Sequence, residues 1–290
     1  MDERFFTRLS ILLEHHAVVV ASVLDTRGAT PRKAGSRMLV TTDSTEFSVG
    51  GGLAEARVID AARTLLASDS TGTAFDIDLT GQPESAGICG GRMQFALRRW
   101  AGADDLAQAA HIASTLRDGR RVTLDAAALG SPDDHRETLQ PDPRLLIVGG
   151  GHCSLALFEL AQALDFDRWV FDPRPHYFGG GAFDGGTLLH GDYALLDTAF
   201  DSERPVFACL LNRDYGGDVE SLRVLQHRRP AFLGMMGSRR RVAAVRAAFA
   251  ADAWPHLHAP IGLPIEAHTP HEIAISILAQ LIAERRRKQA

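Results

Sequence analysis

The chain is poor in cysteine. Cys89, Cys153 and Cys209 are the only three in 290 residues, and no two form a CxxC pair. That spacing excludes a disulfide-stapled scaffold and a zinc knuckle, and it fits a reducing, cytoplasmic setting. Excess charge of one sign is also lacking. The 31 basic residues face 36 acidic ones, and a net charge of -5 excludes the basic footprint of a nucleic-acid binder. Apolar runs are short, as at 17–20 and at 277–279, where Gln280 interrupts. A bilayer helix needs about 20 such residues in succession, so no membrane span is expected. The opening Met1-Asp2-Glu3-Arg4 has neither the basic nor the apolar region of a signal peptide.

What remains is ordinary for a globular protein, with 45% hydrophobic and 23% charged residues. A length of 290 residues predicts two domains. Segment 129–143 holds three prolines and four acids against one arginine, and reads as a solvated linker between domains at 1–128 and 144–290. The first domain reads as α/β: a helix over 5–16, a β-branched strand over 18–24, a strand over 37–40 and a short strand before Ser48. A helix over 54–67, strands over 73–79 and 92–99, a helix over 104–117 and a strand over 120–126 complete it. In the second domain, strands at 144–149, 168–172, 186–190, 205–211 and 231–236 alternate with helices at 152–164, 218–227 and 238–251. A last helix runs from Thr269-Pro270 to about 286. Continuous apolar strands in repeated β-α-β order predict a parallel sheet covered on both faces, hence a C-terminal Rossmann-like domain.

The motifs are glycine loops. Gly149-Gly150-Gly151-His152-Cys153-Ser154 follows an apolar strand and opens a helix, matching G-x-G-x-x-G except for Ser154 in the third place. The first glycine permits the turn and the second lets backbone approach a phosphate at the helix N-terminus. Asp172 stands 23 residues beyond Gly149, where an acid accepts a ribose hydroxyl. The reading is either a dinucleotide site or a scaffold of that kind that has lost its nucleotide or binds something else. His152 reads equally as a ligand contact or a solvent-facing residue. At Gly237-Ser238-Arg239-Arg240-Arg241 three cations crowd a helix start, against its dipole, so the place is either an anion site or a solvated basic turn. In the first domain, Arg32 and Arg37 belong to a cationic loop. Gly50-Gly51-Gly52 before Glu55 reads as a backbone cradle. Cys89-Gly90-Gly91 presents a thiol among unencumbered amides, as a soft-metal ligand, a sulfur relay or a buried structural cysteine.

In order, these motifs resemble the XdhC/CoxI family of xanthine dehydrogenase accessory proteins. Gly28-Ala29-Thr30-Pro31-Arg32 with Gly35-Ser36-Arg37-Met38 is similar to the family's G-S-x-P-R…G-x-R-M. Gly50-Gly51-Gly52-Leu53-Ala54-Glu55 resembles G-G-G-x-x-E, and Cys89-Gly90-Gly91 resembles C-G-G. Gly149-Gly150-Gly151-His152, Asp172-Pro173-Arg174 and Gly234 with Gly237-Ser238 follow, then Pro260-Ile261-Gly262-Leu263 and Thr269-Pro270-His271-Glu272-Ile273-Ala274. The resemblance implies a protein that binds molybdenum cofactor (Mo-molybdopterin), protects it, assists its sulfuration and inserts it into an apo molybdenum hydroxylase such as xanthine dehydrogenase. A cysteine desulfurase would donate the sulfur. Cys89 would contact molybdenum or sulfur, Gly90 and Gly91 would leave room for the pterin, and Arg32 and Arg37 would neutralise phosphate. Gly149, Gly151 and Asp172 would form a nucleotide-like pocket, with Arg239 and Arg240 as a second anion site.

Three departures stand out, the first being Ser154 in place of a glycine or alanine frequent in the family. Some members carry C-C-G-G where Ile88 precedes Cys89 here, and Asn212-Arg213-Asp214-Tyr215-Gly216-Gly217-Asp218 replaces a histidine-bearing stretch. Such a protein is expected to be a chaperone rather than an enzyme, and a homodimer. The alternative is an NAD(P)-dependent oxidoreductase, with His176 or His190 as proton donor. The third reading is a ligand sensor or a structural component.

Overall fold

A computed structural model describes residues 2–82, 85–87, 89–131, 133–250 and 252–287. Ile88, on which the single-cysteine reading of the C-G-G motif turns, lies outside them, as do Pro132 and Ala251. The chain divides into two compact units, Met1–Pro141 and Asp142–Ala290.

The first unit begins with α1 (Asp2–Leu13), β1 (Val18–Arg27), β2 (Arg37–Val40), β3 (Thr45–Phe47) and α2 (Gly52–Leu66). It continues through β4 (Gly72–Asp78), β5 (Arg92–Trp100), α3 (Gly102–Arg117), β6 (Val122–Leu124), α4 (Ala126–Leu129) and β7 (Glu137–Leu139). The main sheet has the order β3-β2-β1-β5-β4, and every pairing in it is antiparallel. The two-residue period of a strand explains its layers. Val18 and Val20 pack with Phe5, Phe6 and Leu9 of α1 and Ile112 and Leu116 of α3, while Val19, Ala21 and Val23 pack with Val58, Ala62 and Leu65 of α2.

The linker expected at 129–143 is corrected here. Glu137–Leu139 pairs antiparallel with Val122–Leu124, and Leu129 and Leu139 are buried in the core of α1 and α3. Leu139 has an apolar face to bury and Glu137 has a buried arginine to meet, so the prolines and acids around them flank a strand. The strand expected over 120–126 is shorter, because the Asp125 side chain caps α4 by accepting from the Ala128 N–H at 2.9 Å.

The second unit runs through β8 (Arg144–Val148), α5 (His152–Leu160), β9 (Asp167–Phe171), β10 (Thr187–Leu189), β11 (Val206–Leu210) and α6 (Tyr215–Leu225). It ends with β12 (Phe232–Met235), α7 (Arg239–Arg246), β13 (Leu257–His258) and α8 (Pro270–Arg287). The six-stranded sheet has the order β10-β9-β8-β11-β12-β13 and is parallel throughout. Leu145 and Ile147 face a core with α5 and α8; Leu146 and Val148 face one with α6 and α7. This is the doubly wound arrangement, and its switch point lies between the carboxyl ends of β8 and β11. α6 starts three residues ahead of the expected 218 because Asp214 caps it, accepting from the Gly217 N–H at 2.8 Å. α7 ends at Arg246, short of the expected 251, and α5 ends in a 3-10 turn at Ala161–Ala163.

Candidate functional site

In the first unit, three sequence motifs far apart in the chain meet, two of them through backbone and the third through the Pro31 ring. A Cβ on Gly28 would lie 2.8 Å from the Gly90 carbonyl oxygen, and one on Gly91 would lie 2.3 Å from that of Ala29 and 2.5 Å from that of Arg27. A Cβ on Gly50 would lie 2.7 Å from Cγ of Pro31. The β1–β2 loop is thus pressed between Cys89-Gly90-Gly91 and the triple-glycine turn, at distances only glycine permits. The Cys89 segment is pinned at its base, where Gly90 N–H donates to Leu79 and Leu79 N–H to Gly91, each at 2.8 Å. The thiol is exposed, and the space beside Gly90 is open. Cys89 is therefore not the buried structural cysteine that the sequence also allowed.

The cradle at Gly50 and Gly51 is filled by the chain's own carboxylate, and Gly52 is the first residue of α2. Glu55 Oε2 accepts from Ser48 Oγ at 2.6 Å, from the N–H groups of Val49 and Gly51 at 3.0 Å, and from that of Gly50 at 3.2 Å. Burial pushes the Glu55 carboxyl up, but the Ser48 hydroxyl and the three amides outweigh it and hold the group below its usual range. Glu55 shapes the turn; the amides aimed at it are not offered to a ligand anion. Arg37 is likewise engaged. Its side chain is only 3% exposed, its Nη1 donates to Asp2 Oδ1 at 3.1 Å and its Nη2 is ion-paired with Glu137. Arg32 is exposed beside Gly50.

In the second unit the glycine turn leaves β8 at the switch point. Gly149 has φ 114°, and a Cβ there would lie 2.7 Å from the Leu211 carbonyl oxygen, so the chain leaving β11 fixes this position. The N-terminal amides of α5 begin after Gly151, which contributes no side-chain cap. Asp172 does not present a free carboxylate. It is fully buried, its Oδ2 accepts from the Gly150 N–H at 2.7 Å, and its Oδ1 accepts from Arg174 N and Nε, each at 2.9 Å. Burial pushes this carboxyl up; Arg174 and the Gly150 amide outweigh it and hold it below the usual range. A Cβ on Gly150 would lie 2.5 Å from Cβ of Tyr177, whose ring has the Arg174 guanidinium at 4.7 Å and that of Arg213 at 5.9 Å. Tyr177 thus covers the variable position between the two motif glycines, whereas a Cβ on Gly151, the glycine that backbone approach to a phosphate needs, would meet only the Arg213 side chain, at 3.6 Å; the acid expected on a ribose is spent inside the protein.

The basic turn resolves into two roles. Ser238 caps α7 by accepting from the Arg241 N–H at 3.3 Å, and Arg239 and Arg240 are exposed. Arg241 turns inward. It donates through Nε to Asp218 at 2.7 Å, and through Nη2 to the carbonyls of Asn212 and Asp214, each at 2.8 Å. Asp218 is fully buried; burial raises its pKa, with Asn212 and Arg241 opposing the rise. Arg241 therefore ties the loop after β11 to α7. His152 is exposed, as are His176 and His190. Among the described residues, no three His, Cys, Asp or Glu side chains gather as a metal site. Sequence reasoning missed Tyr177, the inward role of Arg241 and the partners of Arg37. A Tyr three residues beyond Asp172-Pro173-Arg174 carried no motif to mark it.

The strand order and the glycine turn define a Rossmann-type domain joined to an antiparallel α/β unit. Residues 145–281 match the XdhC Rossmann domain and residues 11–77 match the XdhC and CoxI family. The chain belongs to the XdhC and CoxI family. It is 27% identical over 285 residues to the uncharacterized protein YqeB of Escherichia coli K12, covering 96% of this chain and 45% of that protein. It is 30% identical over 159 residues to a probable xanthine dehydrogenase subunit of Bacillus subtilis, covering 52% of this chain and 46% of that one. The chain thus spans less than half the length of either curated relative. A crystal structure described as a xanthine dehydrogenase from Bacillus halodurans shares the fold with a TM-score of 0.82 at 22% identity, over 99% of this chain and 96% of that one. No described helix is long and apolar enough to cross a membrane.

Proposed function

We propose that the protein is an accessory factor of a xanthine dehydrogenase-type molybdenum hydroxylase. It holds molybdenum cofactor as cargo, assists its sulfuration and passes it to the apoenzyme. Family membership supports the accessory role. The observation that carries the cargo reading is the close junction of the Gly28, Gly50 and Cys89-Gly90-Gly91 motifs, with an exposed thiol on it. A thiolate is the protein ligand suited to a soft metal and can accept sulfur from a desulfurase. Open space beside Gly90 and Gly51 leaves room for a bulky pterin to approach. The residues of this chain would bind and shield the cargo, while turnover of substrate belongs to the target hydroxylase. The oxidoreductase reading loses one support where Asp172, the acid it would set against a ribose hydroxyl, is buried and engaged by the Gly150 amide and Arg174. In this reading a cysteine desulfurase and the apo-hydroxylase are transient partners, and a homodimer is the proposed assembly.

The test is activation of apo-hydroxylase by cofactor-loaded wild-type protein and by Cys89→Ala. Cys89 is exposed, so the substitution leaves packing intact. Activation lost in the variant, with an unchanged unfolding curve, is the expected result. Full activation by the variant would remove the cysteine from the mechanism.

A further inference from the structure

A cavity of about 210 Å³ opens between the first turn of α1, the end of the β1–β2 loop and the end of β3. Three arginines, Arg4, Arg32 and Arg37, stand in its wall with one acid, Asp2, and a second acid, Glu137, pairs with Arg37. Three separate segments bring these cations together, so no single amphipathic face accounts for them. Glu137 and Asp2 meet the Nη side of Arg37, but its Nε is buried without an acceptor. A buried donor left unmet is costly, and a charged one more so.

Backbone strain marks the same place. Phe47 holds φ at 63°, a region that a bulky side chain adopts only when its surroundings enforce it. Its ring lies 5.0 Å from that of Phe5 and 5.6 Å from the Arg4 guanidinium, so the constraint fixes an aromatic surface in the wall. Whole small-molecule sites run to about 300–1,000 Å³, so this cavity takes one end of a ligand. Guanidinium groups match the planar, multiply charged face of a phosphate better than any other side chain does.

We propose that this cavity binds the terminal phosphate monoester of an organic ligand, with the Phe5–Phe47 pair against the adjoining carbon skeleton. It rests on the proposed function only in naming that skeleton a pterin; the phosphate subsite stands on the arginines.

The test titrates inorganic phosphate into the full chain, against chloride at matched ionic strength, with backbone amide shifts followed by NMR in wild type and Arg32→Gln. Arg32 is exposed, so its substitution does not threaten the fold. Saturable shifts centred on residues 32–37 and 47–48, weakened about fivefold in R32Q as one solvated charge-assisted contact is lost, are expected. No saturable response there, or an equal response in R32Q, overturns the proposal. A second arm measures pterin bound to both proteins after co-expression with cofactor synthesis. Wild type that retains pterin but ignores phosphate overturns the cavity and leaves the proposed function standing. A phosphate response with pterin lost selectively in R32Q supports both. A phosphate response with no pterin in either protein keeps the cavity as a free phosphate site and overturns the function.

Discussion

The Asp172→Asn substitution keeps the shape of the side chain and removes its charge. Asp172 is fully buried and faces donors only: the Gly150 N–H, the Arg174 N–H and the Arg174 guanidinium. An amide in its place sets an NH2 group against one of those donors. A hydrogen bond to a charged acceptor is worth about 1.5–3 kcal/mol, and a buried donor left unmet costs about 1–3 kcal/mol. Arg174 is 44% exposed and recovers part of its loss by turning to water. The Gly150 amide is buried and has no such escape. The second unit should therefore lose about 3 kcal/mol. Urea unfolding followed by Trp169 and Trp254, in a Trp100→Phe background that silences the first unit, measures it. The sign of the pH dependence follows from the depressed carboxyl. Its contribution is fully present above the ordinary aspartate value and is lost as pH falls through the lower folded value, so wild type and variant converge in acid. A loss below about 1 kcal/mol would mean that the carboxylate is free for a ligand, and the structural role assigned to it would be wrong.

Other substitutions test the remaining contacts. Gly91→Ala drives a Cβ into two backbone carbonyls and should cost the first unit about 1–3 kcal/mol. Gly51→Ala meets open space at φ 77° and should cost only about 1 kcal/mol; Trp100 fluorescence in urea compares the two. Arg241→Met leaves a buried carboxylate on Asp218 and should cost about 3–5 kcal/mol at neutral pH, easing as acid protonates the aspartate, in the same unfolding assay. Thiol labelling should proceed in the order Cys89, then Cys153, with Cys209 reacting only on unfolding. Burial raises the pKa of the latter two, and Cys209 is wholly enclosed; mass spectrometry of timed samples reads the order.

The Rossmann sheet was legible because its signal is local. Leu145 to Val148 form a continuous apolar strand, and the glycine turn, the helix and the acid follow at fixed offsets. Most helix bounds fell within a few residues, and the misses have identifiable causes. Asp214 and Asp125 act as caps, and the composition of 129–143 hid Leu139, whose partner strand is set by tertiary pairing. The site motifs were visible as residue types, but their roles were not. Glu55, Arg37 and Asp172 are charged residues in glycine-rich or basic loops, and sequence assigns such residues to a ligand. In the fold Glu55 and Asp172 satisfy amides and Arg174, and the Nη groups of Arg37 meet Asp2 and Glu137. Which charges are spent internally depends on contacts across 22 residues for Asp172 and Gly150, or 100 for Arg37 and Glu137, and periodicity carries no information at that range. The meeting of Gly28 with Gly90 is of the same kind.

Cofactor content tests the central claim most directly. The full chain, purified after co-expression with molybdenum cofactor synthesis, is assayed for molybdenum per chain and for oxidised-pterin fluorescence, beside Cys89→Ala. Near-stoichiometric molybdenum and pterin in wild type, reduced in the variant, is the expected result. Neither present in wild type, with saturable NAD(P) binding in their place, would contradict the carrier function and restore the Rossmann cleft as the working site.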